Sequence, residues 1–165
     1  MKPYKPETLA IRTQVETTSH KEHSAPLFLT SSFIFDDAEA MRAIFADETA
    51  GNIYSRFSNP NSQEFIDKLC VLEQTEDGIA TATGMAAIFA TFMGLLQSGD
   101  HILSSASVFG STHTLFTKLF PKWGITHTYF TSDSIEKLEQ IVQPNTKVLY
   151  CETPSNPGLQ ILDLE

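Results

Sequence analysis

Residues 101–130 read HILSSASVFGSTHTLFTKLFPKWGITHTYF, and this stretch decides the fold class of the chain. The apolar run His101–Leu103 predicts a short strand, and Ser111–Phe120 predicts a helix that stops at Pro121–Gly124. Ile125–Phe130 is rich in aromatic and β-branched residues and predicts the next strand. The stretch therefore predicts a strand, a helix and a second strand in direct succession.

The same alternation extends to both sides of this stretch. Before it, Ile79–Ala82 predicts a strand, and Thr83-Gly84-Met85 predicts a tight turn into an apolar helix from Ala86 to about Leu96, which we interpret as buried. After it, Lys147–Cys151 predicts a fourth strand. Strands that alternate with helices are typical of a mostly parallel sheet with helices on both faces. The sequence therefore predicts an α/β fold.

The part before residue 79 has a different character. Residues 1 to about 36 have little periodicity and predict an extended arm, in which Leu27–Phe35 is either a strand or a run of apolar residues bound for a core or a partner chain. Asp36–Ala46 predicts a short helix, and Asn59–Gln74 predicts a longer one with an Asn cap followed by Pro. Beyond the third strand, Asp133 predicts another capped helix.

Charge and composition exclude several classes of protein. The 165 residues include 20 acidic and 11 basic side chains, so the formal charge is −9, and 41% of the residues are hydrophobic. An acidic surface opposes binding to nucleic acid or to anionic membranes. The longest apolar run, Ala86–Leu96, is shorter than the roughly 20 residues of a membrane helix. Two distant cysteines form no disulfide framework, and we expect a cytoplasmic protein with neither nucleic-acid nor membrane partners.

Three segments carry candidate binding residues. Gly84 lies between a predicted strand and a helix, where backbone amides can approach an anion, although a single glycine at such a turn is more often purely structural. Tyr54 and Arg56 lie ahead of a capped helix, and a guanidinium suits phosphate; a surface loop with an ordinary ion pair is the alternative. Glu152 and Asn156 follow the fourth strand, where ligands bind in open α/β sheets, or else they form a capped Asn-Pro turn.

The sequence gives no pattern for a metal site or a hydrolase. Two histidines, His20 and His23, lie in the predicted arm, and His101, His113 and His127 are distributed over three elements. No metal-ligand spacing results from this distribution. The Gly-x-Ser-x-Gly nucleophile motif is also absent.

The order of the motifs resembles the Cys/Met-metabolism family of pyridoxal-phosphate enzymes. The resemblance spans nearly the whole chain and rests on His23-Ser24, Thr30-Ser31-Ser32-Phe33, Tyr54-Ser55-Arg56, Asn59-Pro60, Gly84-Met85-Ala86-Ala87, Val108-Phe109-Gly110-Ser111-Thr112 and Glu152-Thr153-Pro154-Ser155-Asn156-Pro157. It implies the amino-terminal half of the large domain of fold type I. Residues 1–50 would form an arm with a short helix, and residues 51–165 would form the first part of the domain that binds pyridoxal 5'-phosphate (PLP).

The resemblance also implies how the phosphate of PLP is held. Gly84 and Met85 would give backbone amides to it, and Tyr54 and Arg56 would reach the same phosphate from the neighbouring subunit. This arrangement implies a homo-oligomer, in this family a tetramer built as a dimer of dimers, that acts on a small amino-acid substrate.

On the ring side, the resemblance implies that Phe109 stacks on the pyridine ring and that Asn156 lies near the ring oxygen and the substrate carboxylate. Glu152 would belong to the same wall, on the substrate side. Most members of the family have Tyr at the position of Phe109, and Phe can stack but cannot transfer a proton. A lesser departure is Asn61, where the family usually has Thr.

A Phe in this Val-Phe-Gly-Ser-Thr context is similar to the O-succinylhomoserine sulfhydrylase branch. It implies γ-replacement on an O-acylhomoserine by sulfide or a thiol, which gives homocysteine or cystathionine. Carbon–sulfur lyases of the cystathionine γ-lyase or methionine γ-lyase type remain the alternative.

The Schiff-base lysine of the family lies in a Ser-x-Thr-Lys segment that would follow Glu165. We therefore expect no catalytic residue within these residues, expect the piece to be inactive alone, and expect Ile79–Ala82 to lack its neighbouring strands. Two other possibilities stay open: a truncated, non-catalytic paralogue that acts as a binding or partner module, and an unrelated α/β protein that binds a small molecule.

Overall fold

The structure is a computed structural model that describes residues 4–13, 17–131 and 138–163. The chain divides into two compact units, Met1–Ala80 and Thr81–Glu165. The expected division into an arm of residues 1–50 and a domain from residue 51 stays a prediction.

The first unit contains three helices, which are α1 (Pro6–Arg12), α2 (Ala38–Phe45) and α3 (Pro60–Glu73). α2 begins where the sequence predicts, because the side chain of Asp37 accepts a hydrogen bond from the Ala40 amide at 2.7 Å. α3 begins after Asn59, whose side chain accepts from the Asn61 amide at 2.9 Å. Both predicted helices are confirmed, whereas α1, which packs against α3, was not predicted.

Of the two interpretations of Leu27–Phe35, the strand does not form. This segment contributes a single antiparallel bridge, between Ser32 and Tyr54. Leu29 is 91% exposed and Ile34 is 99% exposed. A strand requires a continuous ladder of hydrogen bonds with its neighbour, whereas this segment pairs with Ile53–Ser55 through two backbone bonds only among the described residues.

The second unit contains a three-stranded parallel sheet and the helices that alternate with its strands. The strands are β1 (His101–Ser105), β2 (Thr126–Phe130) and β3 (Thr146–Tyr150), in the order β2-β1-β3. The helical elements are α4 (Gly84–Leu95), α5 (Gly110–Thr114), a π-helical turn (Leu115–Leu119), a 3₁₀ turn (Phe120–Trp123) and α6 (Leu138–Ile141). The α/β fold and the parallel sheet are therefore confirmed. The predicted cap at Asp133 lies outside the described residues.

Two predictions in this region are wrong. Ile79–Ala82 is not a strand, and Ile79 is 90% exposed, because no described strand lies beside it to complete a ladder. The predicted buried helix begins at Gly84 rather than Ala86, and Phe92 is its one buried residue. A helix that is apolar all round needs cover on every side, and the described elements cover one side of α4.

The core of this unit lies between α4, the helical turns after α5, and the sheet. Its buried members are Phe92, Leu96, Ile102, Phe116, Phe120 and Ile125. All five residues of β1 are buried, as expected for the central strand of a parallel sheet. The packed core fixes the carboxyl ends of β1 and β3, where the segments Ala106–Phe109 and Cys151–Asn156 begin. Among the described residues, no helix is long and apolar enough to cross a membrane.

Candidate functional site

At the amino-terminal end of α4, two backbone amides have no hydrogen-bond acceptor among the described residues. Thr83 caps the helix: its hydroxyl accepts from the Ala86 amide and its carbonyl from the Ala87 amide, each at 3.1 Å. The amides of Gly84 and Met85 have no acceptor within the described part of the chain. Unpaired amides at a helix start attract anions, and the helix dipole adds positive potential there.

The glycine at this helix start is not explained by the protein itself. Gly124 shows what a structural glycine looks like, because its φ is +75° and an added Cβ would fall on the Ser98 hydroxyl. Gly84 has no positive φ, and an added Cβ would meet no atom within 4 Å. The space above Gly84 is therefore open, and it fits a group that approaches the backbone closely.

Glu152 joins the end of β3 to the start of α5. Its Oε2 accepts from the Phe109 amide at 2.9 Å, and its Oε1 accepts from the hydroxyls of Thr112 at 3.3 Å and Tyr150 at 3.0 Å. Burial, followed by the hydrogen bond to Glu152, raises the pKa of Tyr150 to about 12. The Tyr150 hydroxyl therefore stays protonated at neutral pH and can donate its hydrogen bond to Glu152. The Phe109 ring itself remains 39% exposed.

A cleft of about 190 Å³ lies at the same edge of the sheet. It is lined by Ser105, Ser107, Glu152, Gln160, Ile161 and Leu162. The segment after β3 folds back to form it, because the Gln160 amide donates to the Ser155 hydroxyl at 3.0 Å and the Ser107 hydroxyl donates to the Gln160 side chain. Asn156 lies in this segment and is exposed.

In the first unit, Tyr54 and Arg56 lie together. The Arg56 guanidinium carbon is 5.3 Å from the centroid of the Tyr54 ring, within the range of a cation–π contact. Arg56 is exposed, and within the described residues it makes no ion pair with a carboxylate. Its planar fork of donors is therefore open to an external anion.

The loop that carries this pair is fastened to the arm by the first residues of α3. Asn59 donates to the Phe28 carbonyl at 3.2 Å and to the Ser55 hydroxyl at 3.0 Å. The side chain of Asn61 accepts from the Phe28 amide at 2.8 Å and donates to the Pro26 carbonyl at 2.7 Å. Asn61, a minor departure in sequence, thus holds the arm to the helix, and its amide makes both bonds at once.

The structure brings together Phe109 and Glu152 in one unit and Tyr54 and Arg56 in the other. Sequence reasoning missed Thr112, Tyr150 and Gln160. Tyr150 carried one signal, which is a hydroxyl at the end of a strand, two residues before the charged Glu152.

The sequence comparisons identify the relatives of this chain. The model of the Cys/Met metabolism PLP-dependent enzymes matches residues 7–165. The O-succinylhomoserine sulfhydrylase of Pseudomonas aeruginosa is 44% identical over 158 residues, which is 96% of this chain and 39% of that protein. The L-methionine gamma-lyase of Fusobacterium nucleatum is 39% identical over 85% of this chain and 35% of its own length. The chain therefore spans roughly two fifths or less of the length of these curated relatives.

Solved structures agree with the sequence relatives. A putative O-acetylhomoserine (thiol)-lyase from Campylobacter jejuni, which carries a pyridoxyl-lysine monophosphate, superposes with a TM-score of 0.90 at 33% identity and covers 98% of this chain and 40% of its own. Cystathionine gamma-lyase from Lactobacillus plantarum superposes with a TM-score of 0.82 at 29% identity over 96% of this chain and 39% of its own. These matches confirm fold type I and PLP as the cofactor of the family. The chain belongs to the PLP-dependent enzymes of Cys/Met metabolism.

Proposed function

We propose that this chain carries the phosphate-binding and ring-stacking part of the PLP site in a transsulfuration enzyme that performs γ-replacement on an O-acylhomoserine. The observation that carries the proposal is the start of α4, where Gly84 is required neither by backbone conformation nor by packing. Gly94 is equally open, but Gly84 lies beside two free amides at a helix start, where a ligand can lie against the backbone.

The start of α4 binds the phosphate in this proposal. The amides of Gly84 and Met85 donate to its oxygens, and Thr83 keeps the next amides occupied, so the two free amides point to the anion. Hydrogen bonds to a charged acceptor are stronger than those between neutral groups. A phosphate with nearly two negative charges therefore gains both hydrogen bonds and the field of the helix.

Arg56 and Tyr54 complete the phosphate site from a neighbouring subunit. This assignment is supported by the free guanidinium of Arg56 and by its position on the Tyr54 ring, which restricts where the charge can go. The enzyme is then a homo-oligomer, with a tetramer built as a dimer of dimers as the proposed form. Neither cysteine forms a disulfide within the described residues, which is consistent with the proposed cytoplasmic location.

Phe109 and Asn156 form the ring side of the site. Phe109 offers an exposed aromatic face for stacking, and the exposed Asn156 side chain can donate to the ring oxygen or to the substrate carboxylate. When bound, PLP would supply an electron sink that stabilises negative charge at the substrate's α-carbon, so that a second proton could leave the β-carbon and the γ-substituent could depart. The residues of this chain bind and orient, and proton transfer by a lysine is proposed for a part of the protein outside these 165 residues.

Replacement is favoured over elimination by the residue at position 109. The ring of Phe109 has no hydroxyl to transfer a proton, and the nearby Tyr150 hydroxyl is engaged by Glu152. A lyase reaction is the second candidate, because the L-methionine gamma-lyase of Fusobacterium nucleatum is 39% identical, against 44% for the sulfhydrylase of Pseudomonas aeruginosa.

Assays of the natural protein, purified from its source with its cofactor, distinguish replacement from elimination. We expect homocysteine to form from O-succinylhomoserine or O-acetylhomoserine in the presence of sulfide, with little 2-oxobutanoate from methionine alone. Rapid release of 2-oxobutanoate from methionine, without replacement, would instead establish the lyase. Failure of both reactions with PLP bound would contradict the proposed function.

A further inference from the structure

The carboxylate of Glu152 is occupied by donors of its own chain. Oε2 accepts from the Phe109 amide at 2.9 Å, and Oε1 accepts from Tyr150 at 3.0 Å and Thr112 at 3.3 Å. Thr112 is fully buried, so its hydroxyl has no access to water as a substitute partner. A carboxylate with both oxygens engaged in this way has little capacity left for a substrate.

The bond to Phe109 controls the direction of an exposed ring. Phe109 precedes α5, with φ −56° and ψ 141°, so its amide lies outside the ladder of helix hydrogen bonds. Because the peptide unit is planar, fixing this N–H fixes the whole peptide before Phe109. The ring then retains only the rotations about its own φ, χ1 and χ2.

Tyr150, which donates to Glu152, packs against the hydrophobic core. The Tyr150 ring packs on Phe92 with centroids 5.2 Å apart and edge-on against Phe116 at 5.9 Å. Phe92 and Phe116 are 2% and 0% exposed. The Tyr150 hydroxyl is therefore held by the packed core, and it holds Glu152 in turn.

We propose that Glu152 is a positioning residue, which transmits the rigidity of the core through Tyr150 to the Phe109 amide and so sets the angle of the stacking ring. This inference rests on the proposed function, since it takes Phe109 to stack on PLP. It differs from the expectation of a substrate-side role, because here the carboxylate contacts protein donors and acts on the cofactor only through Phe109.

Three substitutions separate the effect of the length of the Glu152 side chain from the effect of its charge. Glu152→Gln can keep its amide oxygen toward the Phe109 N–H and turn its NH₂ toward the Thr112 and Tyr150 hydroxyls, which can accept. Glu152→Asp keeps the charge, but its side chain is one methylene shorter and falls short of the Phe109 amide. Glu152→Ala removes both. The matched control is Glu139→Gln, which changes an exposed glutamate on α6.

Two readouts are compared on the full-length protein purified with PLP: the hydrogen-exchange rate of the Phe109 amide, and the visible circular dichroism of the bound cofactor. Loss of a hydrogen bond to a charged acceptor predicts exchange faster by about tenfold or more in the Ala and Asp variants. The cofactor signal should weaken in the same two variants. The Gln variant and the Glu139→Gln control should match the parent in both readouts.

Each contrary outcome identifies what fails. If the Gln variant loses the cofactor signal while the Phe109 amide stays protected, the carboxylate acts by its charge and the positioning role is wrong. If the Ala and Asp variants match the parent in both readouts, Glu152 does not position the Phe109 amide or its ring, and the proposal is wrong. If the parent binds no PLP, the proposed function fails, whereas the exchange rate of the Phe109 amide still tests the hydrogen bond. Should the Ala variant not fold, the Asp and Gln pair decides.

Discussion

At the scale of single residues, Gly84 is the most informative position, because no described residue of the chain requires a glycine there. Its backbone has no positive φ and its added Cβ meets no atom within 4 Å. We expect Gly84→Ala to change the free energy of unfolding by less than about 0.5 kcal/mol. A methyl group at this position would hold the phosphate away from the Gly84 and Met85 amides. The dissociation constant for PLP should therefore rise by about tenfold or more, which a titration of the full-length protein measures.

Gly94 supplies the matched control on the same helix. An added Cβ at Gly94 also meets no atom within 4 Å, but the residue lies in the helix interior. Gly94→Ala should stabilise the protein by up to about 1 kcal/mol and leave the affinity for PLP unchanged. Equal affinities in the two variants would show that Gly84 has no part in the phosphate site.

The site was predictable at this scale only where a residue type has its own chemistry. The glycine at a helix start and the rare arginine in a loop signal an anion from sequence alone, and both lie where an anion can reach them. Glu152 was expected on the substrate side, and that role stays untested. Its bond to Phe109 joins positions 43 residues apart, and no local pattern encodes such a contact.

At the scale of elements, the three strands are joined by His101 as well as by their backbones. His101 is 1% exposed on β1, and its ring nitrogens lie 2.8 Å from the Thr146 hydroxyl on β3 and 2.9 Å from the Thr128 hydroxyl on β2. Burial lowers the pKa of His101, because the charged form is poorly solvated there. The folded protein therefore favours the neutral form of the His101 ring.

Substitution of His101 should weaken the sheet and change its response to acid. His101→Phe removes the ring's hydrogen bonds to both hydroxyls, which then keep only their contacts with Gln143 among the described residues. We expect a loss of about 1–3 kcal/mol at pH 7.5. Since the folded pKa lies below the unfolded one, the contribution of His101 is complete above the ordinary value of 6.5 and is lost as the pH falls through the folded value. Denaturant unfolding at pH 7.5 and pH 5 should show a smaller acid loss in the variant.

His20→Gln, a change in the arm, is the control for this experiment and should leave both stabilities unchanged. The account of His101 is wrong if His101→Phe unfolds with the same midpoint and the same pH dependence as the parent.

Elements were predictable where the partner lies nearby in sequence. β1, β2 and β3 follow one another with single helical segments between them, and the sequence predicts all three. Two segments have the composition of strands but form no strand in the structure: Ile79–Ala82 and Leu27–Phe35. Composition does not indicate whether a neighbouring strand is present to pair with them. The π-helical turn Leu115–Leu119 extends the predicted helix and carries no signal that distinguishes it from an α-helix.

At the scale of the whole molecule, the distribution of apolar surface agrees with the length of the relatives. Within the described ranges, the buried apolar residues all belong to the second unit, whereas four large apolar residues of the first unit are at least 75% exposed: Leu27, Leu29, Phe57 and Ile79. The chain spans 39% of the length of its Pseudomonas aeruginosa relative. We interpret these residues as surface that is covered in the complete protein.

We therefore expect the 165-residue chain, produced alone, to self-associate. Exposed apolar patches and strands without neighbours promote association. Sedimentation at several concentrations should give a mass that increases with concentration, and heating should give a broad transition. A monomer that unfolds cooperatively and stays soluble would contradict this expectation.

The measurement that tests the central claim most directly is the intact mass of the protein purified from its natural source and reduced with borohydride. Reduction converts a lysine-bound PLP into a stable adduct. We predict one phosphopyridoxyl group per chain, on a species of more than twice 18.3 kDa, the mass of these 165 residues. A protein that carries no adduct, even after incubation with excess PLP, would contradict the claim that Gly84, Met85, Tyr54 and Arg56 belong to a PLP site.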